Sequence, residues 1–177
     1  KNEERIDKTL KAIPDMVSLH DRDMNILYSN WNGFAAVPEE KRVVGTKCYK
    51  TYRNNDVCCP DCQANKALST KKGIRKEIEL PDGAWFDLRV LPIIDKAGNC
   101  LSFVEWVRDI TDLKRTENEL KKSKIFFEKL LDTTPIPIFC KDKQGFYTGI
   151  NKSFENFFGI SRHDFLGKSI TNLFPKE

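Results

Sequence analysis

The segment IRKEIELPDGAWFDLRVLPIIDKAGNCLSFVEWVRDI, residues 74–110, determines the fold of the chain. It contains three apolar-rich runs separated by two short turn sequences, PDG at 81–83 and DKAGN at 95–99. Asp and Gly in such short links are typical of tight turns, and strands joined by tight turns lie antiparallel to each other. The segment therefore predicts three consecutive antiparallel strands.

The composition is that of a folded protein, with 177 residues of which 40% are hydrophobic. A chain of this length can build one complete core and part of another. The 30 basic and 26 acidic residues give a formal net charge of +4, and both signs are interspersed, so nothing indicates nucleic-acid binding. Neither a membrane-spanning run nor the apolar centre of a signal peptide is present. We expect a cytoplasmic piece of a longer protein, without membrane contact, because the sequence also lacks an initiator Met.

Regular patterns precede the three strands. Residues 1–13 carry apolar side chains at spacings of four and three, which predicts one amphipathic helix. MVSLHDRDMNILYSN, residues 16–30, predicts two short strands around a polar turn at 21–25. Short helices and loops are expected between residue 30 and the first of the three strands.

A helical pattern follows the third strand. Apolar positions from Ile110 to Leu131 recur at alternating spacings of three and four, as in a heptad repeat, with Glu117 and Lys124 as polar members. The pattern predicts either a helix that pairs with a second copy of the chain or an amphipathic helix that packs on its own domain.

An internal repeat links the two halves of the chain. LHDRDMNILYSN (19–30) aligns with CKDKQGFYTGIN (140–151) at an offset of 121 residues, and VVGTKCYKTY (43–52) aligns with FLGKSITNLF (165–174) at an offset of 122. The chain therefore holds one unit and the beginning of a second. Because the second unit ends before any counterpart of the three strands, its Phe-rich helix is expected to pack on the first domain or on another chain, or to be poorly ordered.

The order of these elements resembles the PAS family of sensor domains. The resemblance rests on two strands, short helices, three antiparallel strands, and the ending RDITDLKRTENEL (108–120), which runs into a helix. Within it, Asp109-Ile110-Thr111 is the most telling motif, and the second unit, DKQGFYTGINKSFENFFGISRHDFLGKSI (142–170), is closer still to the family pattern. The resemblance implies an α+β fold, with a five-stranded antiparallel sheet, helices on one face and a small pocket between them. The expected boundaries are an N-terminal helix at 1–13, a complete PAS domain at 14–112, a linker helix at 113–125 and the N-terminal part of a second, truncated PAS domain at 126–177, whose remainder would follow Glu177.

The resemblance also implies a function. PAS domains sense ligands, light or redox state and pass the result through coaxial helices to an output domain, often a histidine kinase, and they are not themselves enzymes. We therefore expect a sensory and dimerisation module of a two-component signalling protein, with no catalytic residue in this chain. The alternative is a pure protein-interaction module with a filled pocket and inert cysteines. The apolar stripes expected to form a homodimer are Ile6, Leu10 and Ile13, and Leu113, Leu120 and Phe127.

Flavin is not the expected cofactor, although Cys48 lies where flavin-binding members of the family carry a reactive Cys. Lys47 and Tyr49 replace the polar neighbours of that Cys, and Phe86 stands where the family has a flavin-bonding Asn. A flavin would lose hydrogen bonds there, at about 1–3 kcal/mol for each unsatisfied group.

Haem is not expected either. Neither His20, in the first strand, nor His163, in the second unit, lies in the helix where an axial ligand would be sought. Both histidines are predicted to be ordinary surface residues.

Four of the six cysteines lie in CYKTYRNNDVCCPDC, residues 48–62. In a reducing cell, clustered thiols indicate metal or redox chemistry, and Cys59 and Cys62 form a C-x-x-C pair on a turn that Pro60 stiffens. Two alternatives to a metal stay open, namely a reversible disulfide and free thiols packed under a loop. The candidate ligands for zinc or an iron–sulfur cluster are Cys48, Cys58, Cys59 and Cys62.

Strand alternation predicts the lining of the pocket. The positions expected to face inward are Phe86, Leu88 and Val90 on one strand, and Leu101, Phe103, Glu105 and Val107 on the next. A small ligand would contact Phe86, Leu88 and Phe103 and would be anchored by Glu105, a carboxylate in an apolar wall. Alternatively, Glu105 lies at the sheet edge or pairs with an Arg or Lys, and side chains fill the space. We expect the response to depend on Cys59 and Cys62 more than on Glu105.

Overall fold

The computed structural model describes residues 2–32 and 37–173. They divide into two compact units, one up to Lys114 and one from Arg115 onward. No helix in the described ranges has the length and apolar character needed to cross a membrane. The helices are α1 (Asn2–Lys11), α2 (Cys48–Arg53), α3 (Gln63–Thr70), α4 (Thr111–Thr133), α5 (Lys152–Phe158), α6 (Arg162–Phe165) and α7 (Ile170–Leu173), and Glu39–Lys41 form one 3-10 turn. The strands are β1 (Met16–Asp21), β2 (Ile26–Ser29), β3 (Ile74–Glu79), β4 (Trp85–Ile94), β5 (Cys100–Asp109), β6 (Phe139–Lys141) and β7 (Tyr147–Ile150).

The first unit is built on a five-stranded sheet in the order β2-β1-β5-β4-β3, in which every neighbouring pair is antiparallel. This confirms the predicted α+β class and the five-stranded sheet. The turn between β4 and β5 shows why the short links fold tightly, since Asp95 accepts hydrogen bonds from the amides of Ala97 and Asn99. Gly98 completes that turn at a φ of 83°, a conformation that suits glycine.

Helices α2 and α3 cover one face of this sheet and enclose the core of the first unit. Of the residues predicted to face inward, Leu88, Val90, Phe103 and Val107 are buried, and Phe86 packs against them partly buried. The prediction for Leu101 is wrong, because its side chain is 57% exposed. The register of β4 and β5 shifts between Ile93 and Ile94, and at this end of the hairpin Cys100 is buried instead.

The second unit contains the part of α4 from Arg115 onward, the β6–β7 hairpin and helices α5 to α7. Its core contains Tyr147, Ile150, Phe154 and Phe165, which are all buried. Beside this core the Phe-rich helix α5 leaves Phe157 72% exposed. The predicted docking of this half stays a prediction.

The Asp-Ile-Thr motif fastens the start of α4 to the first unit. The amide of Ile110 donates to the carbonyl of Trp85 at 2.8 Å, and the amide of Trp85 donates to Oγ1 of Thr111 at 2.9 Å. Asp109 accepts from the amide of Thr111 at 2.8 Å and so caps the helix. The junction therefore couples the first turn of α4 to the start of β4.

A side-chain amide fastens the end of α1 to the sheet. Nδ2 of Asn30 donates to the carbonyls of Leu10, Ile13 and Asp15 at 3.0, 3.3 and 2.9 Å. Its Oδ1 accepts from the amide of Val17 at 3.0 Å. This set of bonds, here called the Asn30 latch, satisfies backbone groups that the end of a helix leaves free.

The same latch recurs in the second unit at the end of α4. Nδ2 of Asn151 donates to the carbonyls of Leu131, Thr134 and Ile136 at 2.9, 3.4 and 2.8 Å, and its Oδ1 accepts from the amide of Ile138 at 2.8 Å. Every partner lies 121 residues beyond its counterpart in the first unit. The repeat in the sequence is therefore a repeat of hydrogen bonds.

The change of offset to 122 is also visible in the structure. The amide of Gly45 donates to Ile26, and the amide of Gly167 donates to Tyr147, in both cases at the carbonyl oxygen. Both glycines have a positive φ, 86° and 76°. The inserted residue therefore lies between the latch and this contact.

Removing the Asn30 latch tests its contribution to the fold. We expect Asn30→Ala to lower the free energy of unfolding of the first unit by about 2–4 kcal/mol, because buried carbonyls lose their donor. Urea unfolding followed by tryptophan fluorescence measures this, since all three tryptophans lie in the first unit. Asn118→Ala, on the exposed side of α4, is the matched control and should change stability by less than about 1 kcal/mol.

Asn30→Asp separates shape from hydrogen bonding. It keeps the size of the side chain but replaces the donating nitrogen with an oxygen facing three carbonyls. An Asp variant as stable as the wild-type protein would show that the latch does not hold the helix.

Candidate functional site

The two predicted sites converge on one cavity. A volume of about 400 Å³ lies between α2, the loop at residues 59–61, the start of α3 and the inward face of the sheet. Three predicted thiols and three predicted pocket residues line it, namely Cys48, Cys59, Cys62, Leu88, Phe103 and Glu105. The sequence presented the thiols and the pocket as separate candidates, and the fold makes them one site, here called the thiol cavity.

Phe86 lies beside the thiol cavity rather than in it. It lines a neighbouring space of about 30 Å³, which shares Leu88, Glu105 and Arg53 with the larger cavity. Such a volume holds a single water molecule. Phe86 therefore bounds the site without contacting the main volume.

The thiols lie close enough to influence one another. Burial raises the pKa of Cys48, the first residue of α2, and Glu105 and the thiols of Cys62, Cys59 and Cys58 add to the rise. All six cysteines of the chain are free thiols. Burial therefore favours the protonated thiol at Cys48, at the end of the cavity that also contains Glu105.

Cys62 is the N-cap residue of α3. Nδ2 of Asn65, in the first turn of that helix, donates to Sγ of Cys58 at 3.5 Å. Burial raises the pKa of Cys62, whereas the backbone amides of Asn65 and Ala64 oppose the rise. The sequence pattern drew attention to Cys59 and Cys62 instead.

Across residues 2–32 and 37–173, no group of three or more Cys, His, Asp or Glu side chains is arranged so that it could hold a metal ion. Zinc or an iron–sulfur cluster at Cys48, Cys58, Cys59 and Cys62 would require these thiols to move together and lose their protons. The metal assignment stays a prediction.

Glu105 lies in the middle of the sheet. It occupies the central strand β5, opposite Ser18 of β1 and Val90 of β4, so it is not at a sheet edge. Its side chain is 19% exposed, and within the described ranges it forms no ion pair with a Lys or Arg. Burial raises its pKa to about 7, and the positive charge of Arg53 limits this rise. The carboxyl group therefore titrates near neutral pH.

His20 lies behind Glu105 and is fully buried, so its prediction as a surface residue is wrong. It shares the inward face of β1 with Met16 and Ser18, and its ring packs edge-on against Phe103 with centroids 4.7 Å apart. Burial lowers its pKa to about 4. Strand alternation alone allows either set of β1 residues to face inward, and the set with Val17 and Leu19 is the more apolar, so the sequence carries no clear signal for the burial of this histidine.

The polar atoms of the His20 ring lack hydrogen-bond partners among the described residues. These atoms are both ring nitrogens. Nδ1 of His20 lies 3.9 Å from Oε2 of Glu105, beyond hydrogen-bonding distance. The wall behind the cavity thus contains unsatisfied polar atoms, which cost stability and which the sequence reasoning missed.

Charged side chains surround the entrance. Asp61, in the C-P-D-C turn, forms an ion pair with Lys76 of β3, and Arg53 of α2 also lines the cavity. The interior walls of Leu88 and Phe103 are apolar. The arrangement can hold a small molecule with an apolar body and a polar end, or react through its thiols.

Comparison with known proteins gives family matches over most of the chain. Family models described as the PAS fold match residues 10–115 and 125–177. The virulence sensor protein BvgS of Bordetella pertussis is 34% identical over 76 residues, which covers 41% of this chain and 6% of that protein. The BvgS protein of Bordetella bronchiseptica gives the same values. The chain thus spans about 6% of the length of these curated relatives.

Solved structures are similar to this chain at low sequence identity. An RNA-binding light-oxygen-voltage receptor is 13% identical with a TM-score of 0.51, covering 72% of this chain and 38% of that one. A sensory box sensor histidine kinase from Vibrio cholerae is 14% identical with a TM-score of 0.43, covering 61% of this chain and 91% of that one.

The raised pKa of Glu105 predicts a pH-dependent stability. The folded state favours the protonated carboxyl group, so folding loses stability as pH rises from the ordinary pKa of 4.5 to about 7. Glu105→Gln removes this loss. We compare the unfolding free energy of the variant with that of the wild-type protein at each pH. We expect this difference to shift in favour of the variant by about 1–3 kcal/mol between pH 5 and pH 8. Urea unfolding at both values measures the difference.

Glu79→Gln provides the control, since Glu79 is exposed on β3, the edge strand of the same sheet. The unfolding free energy of Glu79→Gln should depend on pH in the same way as that of the wild-type protein. Parallel curves for Glu105→Gln and the wild-type protein would mean that Glu105 is solvated in the folded state.

Proposed function

The chain belongs to the PAS-fold family, and on that premise we propose that it is a sensory module of a signalling protein whose input is received in the thiol cavity. The observation that supports this proposal is the convergence of the thiols and the inward residues of the sheet on one volume. At about 400 Å³ the cavity lies in the range of small-molecule sites, which is about 300–1,000 Å³. PAS domains are regulatory rather than catalytic, so we assign no reaction to this unit.

The output domain is proposed from the relatives. BvgS is named as a virulence sensor, and one solved structure of the same fold belongs to a sensor histidine kinase. A histidine kinase downstream of this chain would fit a helix that leaves the sheet at Asp109. In this arrangement, metal binding, thiol oxidation or a small ligand would change the cavity, and α4 would carry the change onward.

The flanking helices support a homodimer. Helix α4 contains no buried residue, and its exposed stripe repeats every seven positions, at Leu113 (55%), Leu120 (72%) and Phe127 (61%). Seven-residue spacing is that of paired helices. A second copy of the chain would cover this stripe.

Occupancy of the thiol cavity can be tested directly. Protein purified without air is assayed for zinc, iron and sulfide, and native mass spectrometry detects any retained small molecule. We expect one bound species, lost in Ala64→Phe, because this buried residue of α3 lines the cavity and the larger ring would fill it. Ala97→Phe, in the exposed β4–β5 turn, is the matched control and should keep the species.

The output of the parent protein provides the second readout. A cavity that is empty in every assay, together with an output that Ala64→Phe leaves unchanged, would contradict the proposal. It would favour the alternative in which the unit only mediates protein contacts.

The dimer is tested by light scattering. We expect the wild-type chain to be a dimer and Leu120→Asp to shift it toward monomer by at least tenfold in dissociation constant, because the charge enters an apolar seam. Lys121→Asp, one position along α4 and outside the stripe, should leave the dimer in place. A wild-type monomer at high concentration would exclude this interface.

A further inference from the structure

We propose that the thiol cavity binds a small neutral molecule whose polar end carries a hydrogen-bond donor beside an acceptor, as a carboxamide or a lactam does, on an apolar ring. Glu105 accepts from the donor of this molecule, and Arg53 donates to its acceptor. The inference rests on the proposed function, since it names the class of small ligand that the cavity receives. It departs from the expectation that the response depends on Cys59 and Cys62 more than on Glu105.

Arg53 and Glu105 lie at the same end of the thiol cavity. Both line the large volume of about 400 Å³ and also the small volume of about 30 Å³ beside it. Cys59 and Cys62 line only the large volume. The two charged side chains therefore meet one end of a bound molecule together, and the thiols of the C-x-x-C pair lie farther along it.

The two side chains have opposite hydrogen-bonding roles. A guanidinium group only donates, whereas a carboxylate accepts, and a protonated carboxyl group still accepts through its second oxygen. Among the residues that the structure describes, Glu105 forms no ion pair with Arg53 or with any other Arg or Lys. Nδ1 of His20 lies 3.9 Å from Oε2 of Glu105, beyond hydrogen-bonding distance. This end of the cavity thus offers one donor group and one acceptor group to a ligand.

The balance of charge favours a neutral ligand. The charged side chains that line the cavity are Arg53, Asp61, Lys76 and Glu105, and Asp61 forms an ion pair with Lys76 at 2.5 Å. One charge of each sign remains, at the end just described. An anionic ligand would be repelled by Glu105 and a cationic one by Arg53. A neutral group with a donor and an acceptor side by side can bond to both without repulsion.

The remaining walls suit an apolar ring. Ile78 and Leu88 line both volumes next to the charged pair, and Phe103 lines the large one. Glu105 itself follows the buried Phe103 on the inward face of β5. Apolar walls with a few placed polar groups are the usual lining of small-molecule sites.

Three probes that share one ring test the assignment. Benzamide is neutral and carries a donor beside an acceptor, benzoate is its anionic counterpart, and benzamidine is its cationic one. Ligand-free protein is prepared by unfolding in urea and refolding by dialysis under a reductant, and binding is followed by protein-observed NMR titration at neutral pH. We expect benzamide to bind with a dissociation constant of about 1 mM, within the range for a ligand of its size, and about tenfold tighter than the other two.

Two variants should change this preference in opposite directions. Glu105→Gln keeps an acceptor but removes the negative charge, so benzoate should bind about tenfold tighter than to the wild-type protein. Arg53→Gln removes the positive charge, so benzamidine should gain by a similar factor. A merely structural role of either residue would weaken all three probes alike. Tryptophan-detected unfolding verifies that each variant is folded.

Matched controls remove one charge outside the cavity lining. Lys50→Gln lies on α2 with Arg53, and Glu79→Gln lies on β3, both at exposed positions. Both should keep the wild-type order of the probes. Ala64→Phe should abolish binding of all three, because its ring fills the cavity.

Wild-type protein that prefers benzoate or benzamidine, that binds all three alike or that binds none would overturn the inference. An order of probes that Glu105→Gln and Arg53→Gln leave unchanged, or binding that persists in Ala64→Phe, would also overturn it. Retention of a species by purified protein and its loss in Ala64→Phe are measured separately. Failure of the probe series therefore leaves the proposed input site standing, whereas an empty cavity with unchanged output contradicts the proposed function itself.

Discussion

The carboxamide of Asn30 is the contact on which the first unit depends. It joins three backbone carbonyls and the amide of Val17 at the point where α1 ends and β1 begins, and it also accepts from the amide of Asn32. By fixing Val17, it fixes which side chains of β1 face the helices, since a shift of one residue would turn the opposite set inward. The inward set includes Ser18 and His20, so the polar wall behind the cavity depends on this contact.

The thiol cavity shows a balance between stability and function. Leu88, Val90 and Phe103 supply the apolar burial that holds the sheet to α3. In the same layer, His20 is fully buried and its ring nitrogens have no hydrogen-bond partner among the described residues, with the half-buried Glu105 beside it, an arrangement that a purely structural core would avoid. Departures from core packing of this kind are typical of sites that serve a function.

The sequence predicted those features that rest on local rules. Tight turns and alternation determined β3 to β5, and the repeat located Asn30 and Asn151 at equivalent positions, because these depend on neighbouring residues. The convergence of thiols and sheet could not be predicted, since the segment 48–62 has no periodicity and its path is set by tertiary packing. The exposure of Leu101 depends on a register shift that the turn residues do not reveal.

Helix α4 is held at both ends, at Thr111 by the backbone of Trp85 and at Leu131 by Asn151. Its 23 residues span about 35 Å, and each residue turns the helix by about 100°. Seven residues therefore bring a side chain back to the same face of the helix with an error of only about 20°. A single inserted residue would instead turn every later side chain of α4 by more than a quarter turn, and Leu113, Leu120 and Phe127 would no longer form one stripe.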